Sequence, residues 1–307
     1  MNIETITYGK SNVTVYRTNA APLVGLSPLP ESNFTGRSNV LFANDVNVLV
    51  LGDNFKPAYT EGDNQNVVAT DSMKNFILKK SLEFGGNTLE GLLHFLGREF
   101  LARYPHMEAL QMSGTEVPFE AAVVPQNGAF GKSESLFYPT DADRGYAELS
   151  LKRSGNDAVV TDHRAGRLGF KLVKVTGSSF YSFVRDEHTT LPERIDRALY
   201  IYADCWWRYR DAAHMVADDK KHFVASEQVR DICHSVFQAF NSKSIQHLFH
   251  EMGERVLERF PQLSALTFQG QNRTWEVMFE GDADPATKTM CDPRPPYGVI
   301  GLTLTQS

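Results

Sequence analysis

The feature that most constrains this chain is a stretch that occurs twice. Val67-Val68-Ala69-Thr70-Asp71-Ser72-Met73-Lys74-Asn75 places an apolar pair, alanine, a hydroxyl residue and an acid ahead of a polar, an apolar, a basic and a polar position. Phe223-Val224-Ala225-Ser226-Glu227-Gln228-Val229-Arg230-Asp231 repeats that order, with Ala225 lying 156 positions beyond Ala69 (225 − 69). At the same offset Leu92 meets Leu248, His94 meets His250, Gly97 meets Gly253, Arg103 meets Arg259, Pro105 meets Pro261 and Leu110 meets Leu266, without a gap. Chance does not hold register that long, so the chain reads as an internal duplication, each copy carrying two consecutive helices.

Each copy of the stretch reads as an extended segment running into a helix. Thr70 and Asp71 offer side chains suited to capping a helix, and Met73, Phe76 and Ile77 follow at helical spacing. A helix start presents unpaired N–H groups and a partial positive charge, which suits an anionic ligand. Thr70 therefore has two readings, a plain cap or part of an anion site.

In the first copy, Ile3–Thr18 and Val40–Leu51 read as strands around a loop rich in Pro, Gly and Ser. The Thr70 helix follows, then a second helix from Thr88 to about Arg103, ended by Pro105. Ala109–Val124 and Tyr146–Lys152 read as two more strands. The second copy repeats the order, with strands at Leu168–Val175, Phe180–Arg185 and Leu199–Tyr209. Helices near Val224–Phe240 and Ser244–Phe260 come next. Leu263–Phe279, broken near Gly270, and Val299–Thr305 close the pattern. The expectation is an α+β fold in two domains, 1–153 and 154–307, each an antiparallel sheet with a helix pair on one face. Open sheets have two edges, and closure with further copies into an oligomeric barrel would remove them.

A formal charge of −6 gives no general attraction to nucleic acid or to an anionic membrane, so any anion site must be local. No apolar run approaches the ~20 residues that span a bilayer. Met1-Asn2-Ile3-Glu4 begins no secretory signal, and three widely spaced cysteines form no disulfide framework, so a reducing cytoplasm is expected. Gly131-Lys132-Ser133 lacks the earlier glycine of a phosphate-binding loop, because Gln126 stands there. His247 and His250 beside Glu251 fit no zincin spacing, and the match of His250 to His94 favours a shared packing role. No metal and no nucleotide cofactor is expected.

Scattered residues remain: Lys10 after Tyr8-Gly9, Thr70, Phe180, Arg197, Gln246 and Asn272. Singly, each has an ordinary structural reading, and spacing does not assemble them. At these residues the chain resembles the urate oxidase family. Tyr8-Gly9-Lys10, Val68-Ala69-Thr70-Asp71-Ser72-Met73-Lys74-Asn75 and Phe183-Val184-Arg185-Asp186-Glu187-His188-Thr189-Thr190-Leu191-Pro192 carry the likeness. Pro28-Leu29-Pro30-Glu31-Ser32, Thr35-Gly36-Arg37 and Pro293-Arg294-Pro295-Pro296-Tyr297-Gly298 resemble its Bacillus-type branch.

That resemblance implies two tandem tunnelling-fold domains, a homotetramer with active sites between subunits, and oxidation of urate by dioxygen without cofactor. It implies Lys10 and Thr70 as a catalytic dyad, with Thr70 and Asp71 presenting backbone N–H groups to the ligand. Phe180 would stack on the purine, while Arg197 and Gln246 grip its edge, helped by the backbone of Ile245. Asn272 would face the dioxygen or water site. Many members carry histidine where this chain has Thr274, so the proton relay here would differ. A pterin- or purine-handling relative of the same fold, or a non-catalytic purine-binding protein, stands as the alternative. The first would want Cys and His ligands for zinc, and the second has no need of Lys10 with Thr70.

Overall fold

The duplication is written into the helix boundaries. The computed structural model describes residues 3–273 and 275–306. Its elements in chain order are β1 (Thr7–Thr18), β2 (Leu41–Leu51), α1 (Lys56–Thr60), α2 (Thr70–Glu83), α3 (Leu89–Arg103) and β3 (Ala109–Glu116). Next come β4 (Phe119–Gln126), β5 (Ala129–Pro139), β6 (Arg144–Ser154), β7 (Asp157–Lys174) and β8 (Leu199–Tyr209). The chain closes with α4 (Ala213–Val216), α5 (Ser226–Ala239), α6 (Ile245–Arg259), β9 (Leu263–Asn272), β10 (Glu276–Glu280), β11 (Lys288–Cys291) and β12 (Gly298–Thr305). Helices α5 and α6 begin and end 156 positions after α2 and α3 (226 − 70, 245 − 89).

The same local chemistry sets those boundaries twice. Thr88 caps α3 by accepting from the Gly91 amide, and Ser244 caps α6 by accepting from the His247 amide, each at 3.1 Å. Side-chain cations meet the orphan carbonyls at the C-terminal ends of α2 and α5. Arg17 donates to the Ser81 carbonyl at 2.9 Å and to that of Phe84, while Lys174 reaches the Phe237 and Phe240 carbonyls at 2.9 and 3.0 Å.

Contacts divide the chain into two units. One comprises Met1–Pro28, Phe34–Gly166 and Arg208–Ala225, and the other Leu29–Asn33, Arg167–Trp207 and Ser226–Ser307. In the first, β1, β2, β3 and β6 pair antiparallel in that order, and β7 follows β6 in the sheet. Helix α3 covers this sheet, burying Leu92, Leu93, Leu96 and Phe100 against Leu110, Met112, Leu149 and Leu151. Each such side chain contributes about 1.5–3 kcal/mol by leaving water. In the second unit the order is β7, β8, β9, β12, with β9 and β12 antiparallel and α6 packed on both. The matched glycines Gly97 and Gly253 let helix close on sheet. A Cβ there would lie 2.8 Å from Leu151 and 2.5 Å from Leu304.

An α+β architecture of antiparallel sheets and helix pairs is what the repeat pattern predicts, but several expected strands differ, among them Leu168–Val175, which is the end of the longer β7. Ala109–Val124 is cut after Glu116, where Val117-Pro118 intervenes and proline has no N–H for a ladder. Beyond it β4 and β5 form a separate two-stranded ribbon, and Gly131-Lys132-Ser133 is plain β5 strand. Phe180–Arg185 forms no strand, only a bridge between Phe180 and Arg194. Strand β9 runs straight through Gly270 and ends at Asn272, with β10 in a second ribbon beside β11. His250 does not pack as expected. It lies exposed on α6, 3.5 Å from Glu254.

Candidate functional site

The two residues before Lys10 fix the strand that carries it. The Tyr8 hydroxyl accepts the Val68 amide at 3.1 Å and its ring stacks edge-on against Phe55 at 5.0 Å. That bond ties the approach to α2 down onto β1. A side chain at Gly9 would put its Cβ 1.8 Å from the Val48 carbonyl oxygen, so only glycine lets β1 run this close to β2. Just after Lys10 the register slips between Lys10 and Val13, with Asn12 at φ 55 and its amide bonded to Asn47 Oδ1 at 2.8 Å. A bulge of this kind re-aims side chains at a strand.

Thr70 is not the cap of α2. Ala69 holds the N-cap position with φ −54 and ψ 133, and no side chain caps the helix. Thr70 is the first helical residue because the extended backbone already turns at Ala69. The first intrahelical bond is Met73 N–H to the Ala69 carbonyl at 3.1 Å. The amides of Thr70, Asp71 and Ser72 are therefore the orphan donors of the helix start, and all three residues are exposed. Asp71 pairs with Lys74 and with Asn75 at 3.1 Å. Lys74 holds its carboxyl below the usual range, and the charge of Lys10 adds to that effect. Lys10, Thr70 and Asp71 thus share one corner of the first unit.

The second unit carries the other predicted residues. Phe180 and Arg197 sit in the irregular segment between β7 and β8, which backbone bonds pin in place. Phe180 exchanges N–H and carbonyl with Arg194 at 2.8 Å both ways, and the Arg197 amide donates to Ser178 at 2.8 Å. The Asp196 carboxylate accepts from Thr176 Oγ1 and the Gly177 amide, each at 2.7 Å. These bonds place the Arg197 guanidinium carbon 5.3 Å from the centre of the half-buried Phe180 ring. Burial pulls the guanidinium below its ordinary value. The Ser179 amide donates to the Ser242 carbonyl at 2.7 Å, drawing this pair toward the turn that opens α6. There Ile245 is buried, Gln246 is exposed, and both contribute orphan helix-start amides behind the Ser244 cap. Asn272 ends β9 opposite Gly298 of β12. Thr274 lies outside the described residues.

Sequence reasoning passed over two contributors. Tyr8 lies two residues before Lys10, yet its contact appears only when its hydroxyl meets an amide sixty positions on. Arg273 adjoins Asn272, and its guanidinium lies between the rings of Tyr202 and Tyr297.

The family model described as Uricase matches residues 6–148 and 163–301. The chain belongs to the uricase family. It is 48% identical over 293 residues to a uricase of Haloferax volcanii, with 95% of each chain covered. It is 41% identical to the uric acid degradation bifunctional protein of Bacillus subtilis, covering 98% of this chain and 61% of that longer one. Among solved structures, urate oxidase from Bacillus sp. TB-90 superposes with a TM-score of 0.95 at 41% identity, covering 98% of this chain and all of the other. The two matched segments of the uricase model each contain one helix pair of the duplication.

Proposed function

We propose that the chain oxidises urate with dioxygen and water to 5-hydroxyisourate and hydrogen peroxide, without metal or organic cofactor, as a step of purine breakdown. Two electrons pass from urate to dioxygen. The ring carbon takes a hydroxyl from water, and the released protons complete the peroxide. The observation that carries this reading is the match to uricases along nearly the whole chain. The pairing of Phe180 with Arg197 gives it chemical sense.

Urate is a planar anion edged with hydrogen-bonding groups. Phe180 offers a face to hold the ring flat, Arg197 a planar donor fork, and Gln246 with the Ile245 amide a second hydrogen-bonding edge. The N–H groups of Thr70 and Asp71 complete the anion site, and Asn272 faces the oxygen or water position. A further proton must leave the ring before it becomes a strong electron donor. Lys10 acting through the Thr70 hydroxyl is the base in this reading.

The proposal includes two tandem tunnelling-fold repeats, 1–153 and 154–307, that close with other copies into a barrel. The protein works in the cytoplasm as a homotetramer in which Lys10 and Thr70 of one subunit meet Phe180, Arg197 and Gln246 of another. Chelator-dialysed, flavin-free protein should consume urate absorbance and dioxygen in equal amounts and release peroxide. Activity that disappears on dialysis and returns with one added metal or flavin would overturn the cofactor-free reading. Urate binding without oxygen uptake would favour a purine-binding protein.

A further inference from the structure

We propose that Arg273 is the positioning residue for Asn272, acting on the oxygen side of the site without touching urate. The inference rests on the role just given to Asn272. Strand alternation puts Asn272 on the face of Leu266, Phe268 and Gly270, which the helices cover, and Gln271 on the opposite face. Asn272 is the last residue of its strand, opposite Gly298 of β12, so its orientation depends on what holds the chain just beyond it.

Arg273 supplies that hold in three ways. Its amide donates to the Tyr200 carbonyl at 2.8 Å, fastening the end of β9 to the start of β8. Its guanidinium is sandwiched, with the central carbon 4.1 Å from the centre of the Tyr202 ring and 3.7 Å from that of Tyr297. Both Nε and Nη2 donate to Gln271 Oε1, at 3.0 and 2.7 Å. The residues before and after Asn272 are thus locked together on the far face, while Tyr297 reaches in from the segment that leads into β12. A planar cation between two rings is a rigid spacer, and a lysine cannot reproduce its fork or its stacking. With the backbone fixed on both sides, the Asn272 side chain is committed to the near face.

The test is a double-substitution cycle read in kcat, KM and inhibitor binding. Arg273→Ala should lower kcat by roughly 10–100-fold, the scale of a group displaced by about an ångström. KM and the affinity of a competitive purine inhibitor should stay within about twofold, because Phe180, Arg197 and Gln246 are untouched. Arg273→Lys should fall between. In an Asn272→Ala background, Arg273→Ala should cost nothing more, since the residue it positions is gone. Should Arg273→Ala not fold, Tyr297→Leu removes one wall of the sandwich and is expected to show the same split and the same loss of effect in the Asn272→Ala background.

Equal losses with and without Asn272, a raised KM at unchanged kcat, or parental activity in both Arg273→Ala and Tyr297→Leu while Asn272→Ala is impaired would overturn the proposal. Parental activity in Asn272→Ala itself would sink the role of Asn272 first, and the positioning role with it.

Discussion

Two helix starts of nearly the same sequence meet opposite fates. At α2, Ala69 through Ser72 are exposed and no side chain caps the helix. At α5, every residue from Phe223 to Val229 is buried. Arg167, only 5% exposed, donates to the Ser226 hydroxyl at 3.1 Å, so the polar start is already occupied by the protein itself. Leu23, Leu26 and Phe34 pack on Phe223 and Ala225 just ahead of it. The second helix of each pair shows the reverse. Glu90 and Gln246 stand at equivalent places behind the Thr88 and Ser244 caps, yet Glu90 is buried and Gln246 exposed. Duplication makes two sets of helix-start donors. Burial closes one member of each pair and leaves the other exposed.

The largest expected effect separates Thr70 from Ser226. Thr70→Val keeps the shape and removes the hydroxyl, and loss of a proton relay costs about 10²–10⁴ in rate. Ser226→Val should leave kcat within about twofold and lower the melting temperature instead, since it strips a partner from a buried arginine. If steady-state assays show the two variants equally impaired, the distinction between an open and a closed start fails.

A complementation experiment sharpens the same contrast between units. Lys10→Ala and Arg197→Ala should each be nearly inactive. Refolded together with random mixing, about half of the two-fold pairs are mixed and half their sites carry neither lesion, so activity should recover to about a quarter of the parent. Mass spectrometry must show mixed assemblies. Activity that stays at the single-variant level would mean that each site belongs to one subunit.

Glu90 gives a pH signature. Burial pushes its carboxyl up to about 8, with Glu116 adding to the rise and Arg37 and Lys220 opposing it. The folded state therefore keeps a proton that the unfolded chain releases near its ordinary value of 4.5. Stability conferred at low pH is lost as pH climbs from 4.5 to about 8, and levels off above. Glu90→Gln places the Gln246 side chain at its counterpart and removes that loss. It should match the parent near pH 4 and exceed it by about a few kcal/mol above pH 8 in denaturant titrations. A parallel pair of stability curves would show that Glu90 carries no such burden.

The smallest effect concerns the plug. Arg167→Ala should cost about 1.5–3 kcal/mol of stability, the worth of a hydrogen bond to a charged group, and leave inhibitor affinity unchanged. An unaltered melting temperature would mean that the buried arginine does not hold the closed start.

What could be read from the chain alone follows from how far each interaction reaches. The four paired helices were legible to within a residue or two, because caps such as Thr88 and Ser244 act three residues away and periodicity repeats every turn, whereas the short α1 and α4 were not. The cut after Glu116 was less visible, since Pro118 stops pairing in an otherwise strand-like run. The segment holding Phe180 and Arg197 reads as a strand by composition, yet its amides find Arg194, Ser178 and Ser242 instead of a neighbouring strand. Spacing alone gave no reason to join Phe180 and Arg197, which the fold brings together. Nothing in the local sequence of Thr70 or Ser226 tells which start stays open.

The sequence by itself determined that there are two copies, where their helices lie and which hydroxyl residues stand at the starts, because hydrogen bonds and apolar spacing within a few residues decide these. Tertiary structure alone decided that Ser226 is sealed and Thr70 is not, that Arg197 lies against Phe180, and that Arg273 is clamped between two tyrosines. Those outcomes depend on segments brought together from far along the chain, and burial is a property of what arrives, not of the residue that is covered.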